Sequence, residues 1–351
     1  MFVVTLPSTA TNDPQAFASK AKAAGADLLE IRGDITPLVS TFDSPLPIII
    51  SPRGTGDALL RVLQPAYVDL ELKEDVPVPS ETLVIRSFHD HTRTPKENEL
   101  RSIVTQLLRY NPDVVKVATT VTHYADLERL SVIRDLLPKD RRVVIGMGKR
   151  AHSSRMLSPL QNTFTYTYLD GQEPSVAGQL PLSVYRMISH CKEPHIFGIL
   201  GGLEVQSSSP LIHNTLFQAH DIDAIFSSFL TEDLEDAFAY IKRKHVSGLS
   251  VTTPFKGKII DLLDEIDPIA EELQSVNTVL FENGRYKGYN TDIEGLQKGY
   301  ECIRGASTVA VIGSGGVVPS IVHACEKQGA RNITIFARNE RERGKLKMLL
   351  H

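Results

Sequence analysis

A lysine inside an apolar run is the first feature that points to chemistry. Lys116 stands in DVVKVATT. An amine buried among Val and Ala side chains, with other cations nearby, gives up its proton more readily than one in water, and a neutral amine attacks a ketone. The plainer reading is a lysine snorkelling from the end of a sheet. His89, in RSFHDHTRTP, lies 27 residues earlier and has the titration range of a general acid or base. Alone, a histidine at that place is more often structural, a loop imidazole bonded to Asp90. Arg53 in SPRGTGD and Arg155 in SSRMLSP offer planar forks for a carboxylate. Glu30, Arg32 and Glu71 also fall at the ends of apolar runs. The weight lies in this convergence of a lysine, a histidine, carboxylates and arginines.

The second half carries a different set. EVQSSSPLIHN places Ser207 and Ser209 just before a helix, where hydroxyls and free backbone N–H groups can take a carboxylate, though an ordinary N-cap looks the same. LSVTTPFKGK puts Lys256 at a helix start after a strand, a place the helix dipole disfavours for a cation. SVNTVL and GYNTDIEGL add Asn277 and Asp292. In VIGSGGVVPS the glycines Gly313, Gly315 and Gly316 lie between a strand and a helix, where the backbone can approach a pyrophosphate.

The elements that must position these residues are short. Runs rich in Val, Ile and Leu recur at 2–6, 27–31, 47–51, 67–72, 82–87, 113–118, 142–147 and 164–169. Such non-alternating runs fit strands buried on both faces, hence a parallel sheet. Eight of them with helices between predict a (β/α)8 barrel, whose active site lies at the carboxyl ends of the strands. It is compact against a typical ~250 residues. The link from Leu72 to Thr82, with KEDVPVPS inside, is too short and proline-rich for a helix, so one crossover is expected to be degenerate. SHCKEPH at 189–195 reads as a linker. The α/β alternation then resumes to Asn290, and a new βαβ pattern opens at Ser307 (TVAVIG, VVPSIVHACEKQ, NITIFA), followed by RERGKLKMLL. The expected fold is α/β: a compact (β/α)8 barrel over 1–190, an α/β substrate domain over 195–305, and an incomplete Rossmann-type nucleotide-binding segment over 306–351.

Bulk properties exclude several classes. A chain of 351 residues, 42% hydrophobic and 23% charged, has the composition of an ordinary globular protein of two domains. A net charge of -4 without a basic run argues against nucleic acid. No apolar stretch reaches the ~18 residues of a membrane helix. MFVVTLPSTA reads as a first strand, not a signal peptide. Cys191, Cys302 and Cys325 form no C-x-x-C pair, which predicts a reducing, cytoplasmic setting without disulfides or zinc. The expected partners are small molecules.

The first-half motifs resemble the type I 3-dehydroquinate dehydratases of the shikimate pathway, from Phe2 to about Cys191. LLEIRGD is similar to the family's E-x-R-x-D segment, which implies that Glu30 and Arg32 meet substrate hydroxyls, with Thr5 where a serine is common. SFHDHTRTP resembles S-x-H-D-F-x-x-T-P and makes His89 the catalytic histidine. VVKVA makes Lys116 the imine lysine, SSRMLSP supplies Arg155 for the substrate carboxylate, and Arg53 joins the substrate-binding set. SVAGQLPLS resembles the S-x-P-G-Q lid, closing Ser175 and Gln179 over the substrate, with Ala177 where a proline is common. The glutamate that the family pairs with the histidine corresponds to Asp57, one methylene shorter. The resemblance implies dehydration of 3-dehydroquinate through a Lys116 Schiff base, with no cofactor and no metal.

From about His195 to Gly305 the chain resembles the substrate domain of shikimate dehydrogenase. SSSP is similar to its S-x-S-P, placing Ser207 and Ser209 on the carboxylate. TTPFK and NTD supply Lys256 and Asp292 as the acid/base pair, and Thr252 and Asn277 match ring-hydroxyl contacts. Ser250 stands where the family often has asparagine. The glycine loop and Arg338 imply NADP, with Ala337 replacing the family's asparagine beside that arginine. With His351 the last residue, the later Rossmann strands and a terminal helix carrying a substrate-touching glutamine are not present. The expectation is therefore a working dehydratase with a poor or inactive dehydrogenase. Other readings are another Schiff-base barrel such as a class I aldolase, a ligand-sensing module without turnover, and a monofunctional dehydratase whose second half only binds shikimate.

Overall fold

The structure is a computed structural model and describes residues 1–36, 41–55, 58–299 and 304–337. Each of the eight apolar runs forms a strand: β1 (Phe2–Thr5), β2 (Leu28–Arg32), β3 (Ile48–Ser51), β4 (Tyr67–Glu71), β5 (Leu83–Asp90), β6 (Val114–Thr120), β7 (Arg142–Met147) and β8 (Thr165–Thr167). They make one sheet of parallel neighbours in the order β7-β6-β5-β4-β3-β2-β1-β8. Side chains alternate across each strand, and this sorts the residues into two layers. Val4, Leu29, Ile31, Ile48, Ile50, Val68 and Leu70 face outward, packing with Phe17, Ala18 and Ala21 of the helix Pro14–Ala24. Val3, Leu28, Ile49, Ile85, Val114, Val143, Ile145, Phe164 and Tyr166 fill the interior. The barrel is a packed core at one end of the strands, and only the carboxyl end is left for polar groups.

Two details show how the barrel closes. Between β7 and β8 a side chain stands in for a strand: Val144 N donates to Asn162 Oδ1 at 2.9 Å, and Asn162 Nδ2 donates to Val144 O at 3.3 Å. Thr163 N adds a bond to Arg142 O at 2.9 Å. Between β4 and β5 no helix forms, as the prolines predict. Arg86 Nη1 instead donates to the carbonyls of Glu71 (3.1 Å) and Glu74 (2.7 Å), and its guanidinium lies 4.1 Å from the ring centroid of Tyr110. The cation ties down the loop that replaces the crossover.

The chain divides into two units, Met1–Pro194 with Leu211–Ser227, and His195–Pro210 with the chain from Ser228 on. The later strands are β9 (His195–Gly201), β10 (Ala224–Leu230), β11 (Gly248–Val251), β12 (Glu265–Ile266), β13 (Thr278–Glu282) and β14 (Arg285–Tyr289), in the order β10-β9-β11-β13-β14-β12. β9 and β11 run parallel, while β13 and β14 form a hairpin. Its turn is Asn283–Gly284, with φ of 51° and 80°, the pair of positive φ values that an Asn-Gly turn supplies. After it come β15 (Thr308–Ile312), the helix Val318–Lys327 and β16 (Asn332–Phe336), with the two strands paired in parallel. Val309, Val311, Ile333 and Ile335 pack on Val318 and Val322 of the helix. On the other face Ile312 is 89% exposed and Phe336 58%. Arg338, Cys302 and RERGKLKMLL lie outside the described residues. No helix is long and apolar enough to cross a membrane among the described residues.

Candidate active site

Along β2 to β6 the inward positions change from apolar to polar toward the carboxyl end, while on β7 Val143, Ile145 and Met147 stay apolar. Leu28 leads to Glu30 and Arg32, Ile49 to Ser51, Tyr67 to Asp69 and Glu71, and Ile85 to Ser87 and His89. Val114 leads to Lys116 in the same way. The polar ends meet in a cavity of about 170 Å³. Thr5, Glu30, Arg32, Arg53, His89, Lys116, Arg155, Ser175 and Gln179 all line it, so the structure brings these expected residues together around one cavity. Glu71 and Tyr166 line it as well.

Lys116 is buried, with its Nζ 2.7 Å from Asp69 Oδ2 and 4.0 Å from the ring centroid of Tyr166. Asp69 is fully buried and takes a second cation, Arg53 Nη2, at 2.9 Å. Burial alone would raise the Asp69 carboxyl, yet Arg53 and Lys116 hold it well below the usual carboxylate range. Arg53 adopts a left-handed backbone with φ of 52°, a conformation costing about 1–3 kcal/mol. Its bonds from Nη2 to Asp69 and from Nη1 to Glu71 (2.6 Å) and Ser87 (3.3 Å) over-determine that conformation.

His89 sits on β5 beside β6, where Ser87 pairs with Lys116 and His89 with Ala118. Its Nδ1 lies 2.6 Å from Glu71 Oε1, a close approach off the line of a hydrogen bond. Burial lowers the imidazole below its ordinary value; Glu71 opposes this, and the cations Lys116 and Arg53 reinforce it. The carboxylate beside His89 among the described residues is thus Glu71. Asp57, assigned that place from the motif, lies outside the described residues. Glu71 and Asp69 stand two apart in YVDLEL, so strand alternation puts both on the inner face, and that spacing was the signal for them.

Around the rim, Glu30 is buried and accepts from Thr5 Oγ1 at 2.6 Å and Ser51 Oγ at 2.9 Å. Arg32 forks onto Asp34 at 3.1 and 2.8 Å. Arg155 is buried with Nε donating to Gly146 O at 2.8 Å, and the rest of its fork meets no acceptor among the described residues. A buried guanidinium without a carboxylate is a strong site for an anion. Ser175 donates from N and Oγ to Gln179 Oε1, both at 3.0 Å, which folds the lid on itself. Gly178 within it has φ of 83°, and a Cβ there would collide with the Gly148 carbonyl. Only glycine fits that turn.

In the second unit Lys256 Nζ lies 2.6 Å from Asp292 Oδ2, and Asn277 Nδ2 donates to Asp292 Oδ1 at 2.7 Å. Thr252 follows Val251, whose N–H donates to Asn277 O at 2.7 Å. Ser207 and Ser209 form a separate exposed-side pair with Oγ atoms 3.0 Å apart, linked by hydrogen bonds to none of these residues. The element after Lys256 is a short 3-10 turn, Lys258–Leu262, not an α-helix. Its dipole is small, and Asp292, in the first turn of the helix Asp292–Gly299, is what fixes the lysine. Gly313, Gly315 and Gly316 lie between β15 and the helix Val318–Lys327. A Cβ on Gly313 or Gly315 would meet nothing within 4 Å, and one on Gly316 would lie 3.7 Å from Lys256 Cδ. Open backbone ahead of a ten-residue helix fits a phosphate group, and Lys256 stands next to it.

Residues 55–193 match the family described as type I 3-dehydroquinase. Residues 200–279 match the shikimate dehydrogenase substrate binding domain. The bifunctional 3-dehydroquinate dehydratase/shikimate dehydrogenase, chloroplastic, of Arabidopsis thaliana is 30% identical over 371 residues, covering 89% of this chain and 61% of the plant protein. The shikimate biosynthesis protein AroDE of Chlamydia pneumoniae is 30% identical over 347 residues, covering 89% of this chain and 71% of the chlamydial one. The shikimate dehydrogenase (NADP(+)) of Aquifex aeolicus (strain VF5) is 35% identical over 144 residues, which are 40% of this chain and 54% of that protein. The chain therefore spans about three-fifths of the plant relative's length.

Proposed function

The chain belongs to the family of shikimate biosynthesis proteins that join a type I 3-dehydroquinase to a shikimate dehydrogenase, and from that membership we propose that its barrel converts 3-dehydroquinate to 3-dehydroshikimate, while its second half binds shikimate with the residues of a shikimate dehydrogenase and is a poor or inactive dehydrogenase in this chain. The observation that carries the first activity is the buried Lys116 nitrogen in the barrel mouth, with His89 on the adjacent strand and the unpaired Arg155 on the rim.

In this mechanism Arg155 binds the substrate carboxylate, while Thr5, Glu30, Arg32 and Arg53 meet the hydroxyls and carbonyl. Ser175 and Gln179 close over them. Lys116 condenses with the C3 ketone, releasing water and leaving a protonated imine. That cation draws electrons from C2, and His89 removes the C2 proton. Because burial and the nearby cations keep the imidazole neutral, with Nδ1 turned to Glu71, Nε2 is the nitrogen left to accept it. Water leaves from C1, and a second water hydrolyses the imine to release 3-dehydroshikimate and Lys116.

In the second half, Lys256 and Asp292 exchange a proton at the hydroxyl being oxidised, Ser207 and Ser209 hold the carboxylate, and Thr252 and Asn277 bind ring hydroxyls. Gly313, Gly315 and Gly316 would hold the pyrophosphate of NADP, with Arg338 on its 2′-phosphate; when bound, NADP supplies or takes up the hydride. The proposed extents are 1–190 for the barrel, 195–305 for the substrate domain and 306–351 for nucleotide-binding sequence.

Borohydride with 3-dehydroquinate should add the ligand's mass to the peptide containing Lys116, and Lys116→Ala should abolish the addition. Labelling elsewhere, or an active enzyme with no labelling, refutes the assignment. On the same preparation Lys256→Ala should weaken shikimate binding measured by calorimetry without changing the dehydratase rate.

A further inference from the structure

Two groups flank the nitrogen of Lys116. One is Asp69, at 2.7 Å; the other is the ring of Tyr166, whose centroid lies 4.0 Å from Nζ. Tyr166 is the middle residue of β8 and pairs with Val3 of β1. Alternation turns it inward with Phe164, while Thr165 and Thr167 on either side bond outward to Ser158 Oγ and Leu180 O. The tyrosine is 7% exposed, and its hydroxyl is buried with no hydrogen-bond partner among the described residues. Burial, with Asp69 and Glu30 nearby, keeps the phenol protonated, so the ring is neutral and its face is electron-rich. A buried tyrosine usually bonds its hydroxyl. Here the contact the residue makes with the site is through its ring face.

Imine chemistry gives that face a use a carboxylate cannot fully replace. The ammonium of Lys116 has three N–H bonds and one positive charge. Condensation with a ketone expels water and leaves an iminium with one N–H bond and the same charge. Hydrogen-bond stabilisation of the nitrogen therefore shrinks as the intermediate forms, while attraction to a ring quadrupole persists because it needs charge and no donor. We propose that Tyr166 is a positioning residue for the imine nitrogen, its ring stabilising the charge of the iminium, which keeps a single N–H bond, more than that of the ammonium, which Asp69 already holds at 2.7 Å. This rests on Lys116 being the imine lysine.

The test replaces Tyr166 by phenylalanine, and by phenylalanines carrying one, two and three ring fluorines, which drain the ring face with little change of shape. The readouts are kcat and the yield of borohydride adduct on Lys116 in a short pulse with 3-dehydroquinate, alongside the melting temperature. Tyr166→Phe should stay within about 3-fold of the wild type, and the fluorinated series should then fall stepwise by about 5- to 30-fold in all, the range a desolvated cation–ring contact supports. A flat series with a wild-type adduct overturns the role of Tyr166 and leaves the imine intact. So does a loss on Tyr166→Phe as large as that of the trifluoro ring, because the hydroxyl would then be the operative group. Absence of any adduct in the wild type overturns the imine assignment itself. A packing role alone would move the melting temperature and not the fluorine series.

Discussion

Asp69→Asn leaves shape almost unchanged and removes one charge from the centre of the barrel. In the wild type the carboxylate is fully buried, 2.7 Å from Lys116 Nζ and 2.9 Å from Arg53 Nη2. Arg53 keeps Glu71 at 2.6 Å after the change, but Lys116 loses the one carboxylate it is paired with among the described residues. Removing one partner of a buried pair costs about 3–5 kcal/mol, because the other charge stays buried. For a unit of this size that is a fall of about 6–20 °C in melting temperature. The chain contains no Trp and 10 Tyr, so near-ultraviolet circular dichroism of tyrosine follows the loss of packing directly. The sign of the pH dependence adds a second check. The carboxyl titrates below its ordinary 3.8 in the folded protein, so its contribution is complete above that value and is lost as pH falls below it. The gap between wild type and Asp69→Asn should be constant from pH 7 to about 5 and should narrow below 3.8. A variant as stable as the wild type at pH 7, or a gap that widens in acid, would refute the reasoning.

His89 is held below its ordinary 6.5, so the acid limb of kcat/KM for the dehydratase should lie below pH 6.5; a limb at 7 or above would contradict its role as the neutral base. Asn162→Ala opens the seam between β7 and β8 by removing both bonds to Val144. It should cost about 1–3 kcal/mol in urea unfolding and speed hydrogen exchange at the Val144 amide more than at strands away from the seam.

The strands were legible because each carries its apolar residues without interruption, as a two-sided sheet requires. The polar residues that line the barrel mouth were legible for a related reason: a polar residue in such a run is best tolerated toward the carboxyl end, where the interior opens. Asp69 and Tyr166 were harder to see. Both lie one step deeper than the rim, and in YVDLEL and FTYTYL only the period of two marks them as inward. Glu71 was visible at a strand end, but its approach to His89 was not; Asp57, given that place by the motif, lies outside the described residues. Pairing with His89 is a matter of which strands are neighbours, and that is set by barrel closure, not by distance along the chain. In the second half Lys256, Asp292 and Asn277 were named from their motifs and meet by direct hydrogen bonds. The reason offered for Lys256, a cation at an α-helix start, gave way to a short 3-10 turn. Propensity in TTPFKGK could not distinguish the two.

The two halves of the proposed dehydratase chemistry share one structural support. Arg53 reaches the counter-ion of Lys116 through Nη2 and the partner of His89 through Nη1. The nucleophile and the base are therefore not independently placed. If Asp69 is neutralised, Arg53 is free to lean toward Glu71 and draw it from His89; if Glu71 is neutralised, Arg53 shifts toward Asp69 and competes with Lys116 for it. Residues joined through a shared partner show interaction energies of about 0.5–3 kcal/mol, whereas separated sites add within about 0.5. Asp69→Asn and Glu71→Gln should thus be non-additive in kcat, and the double variant should lose less than the product of the single losses. Repeating the cycle on an Arg53→Met background should bring the losses closer to additivity, since the guanidinium that bridges the two carboxylates is then gone. Additive losses with Arg53 in place would mean that the lysine and the histidine are held separately, and that the guanidinium serves the substrate alone.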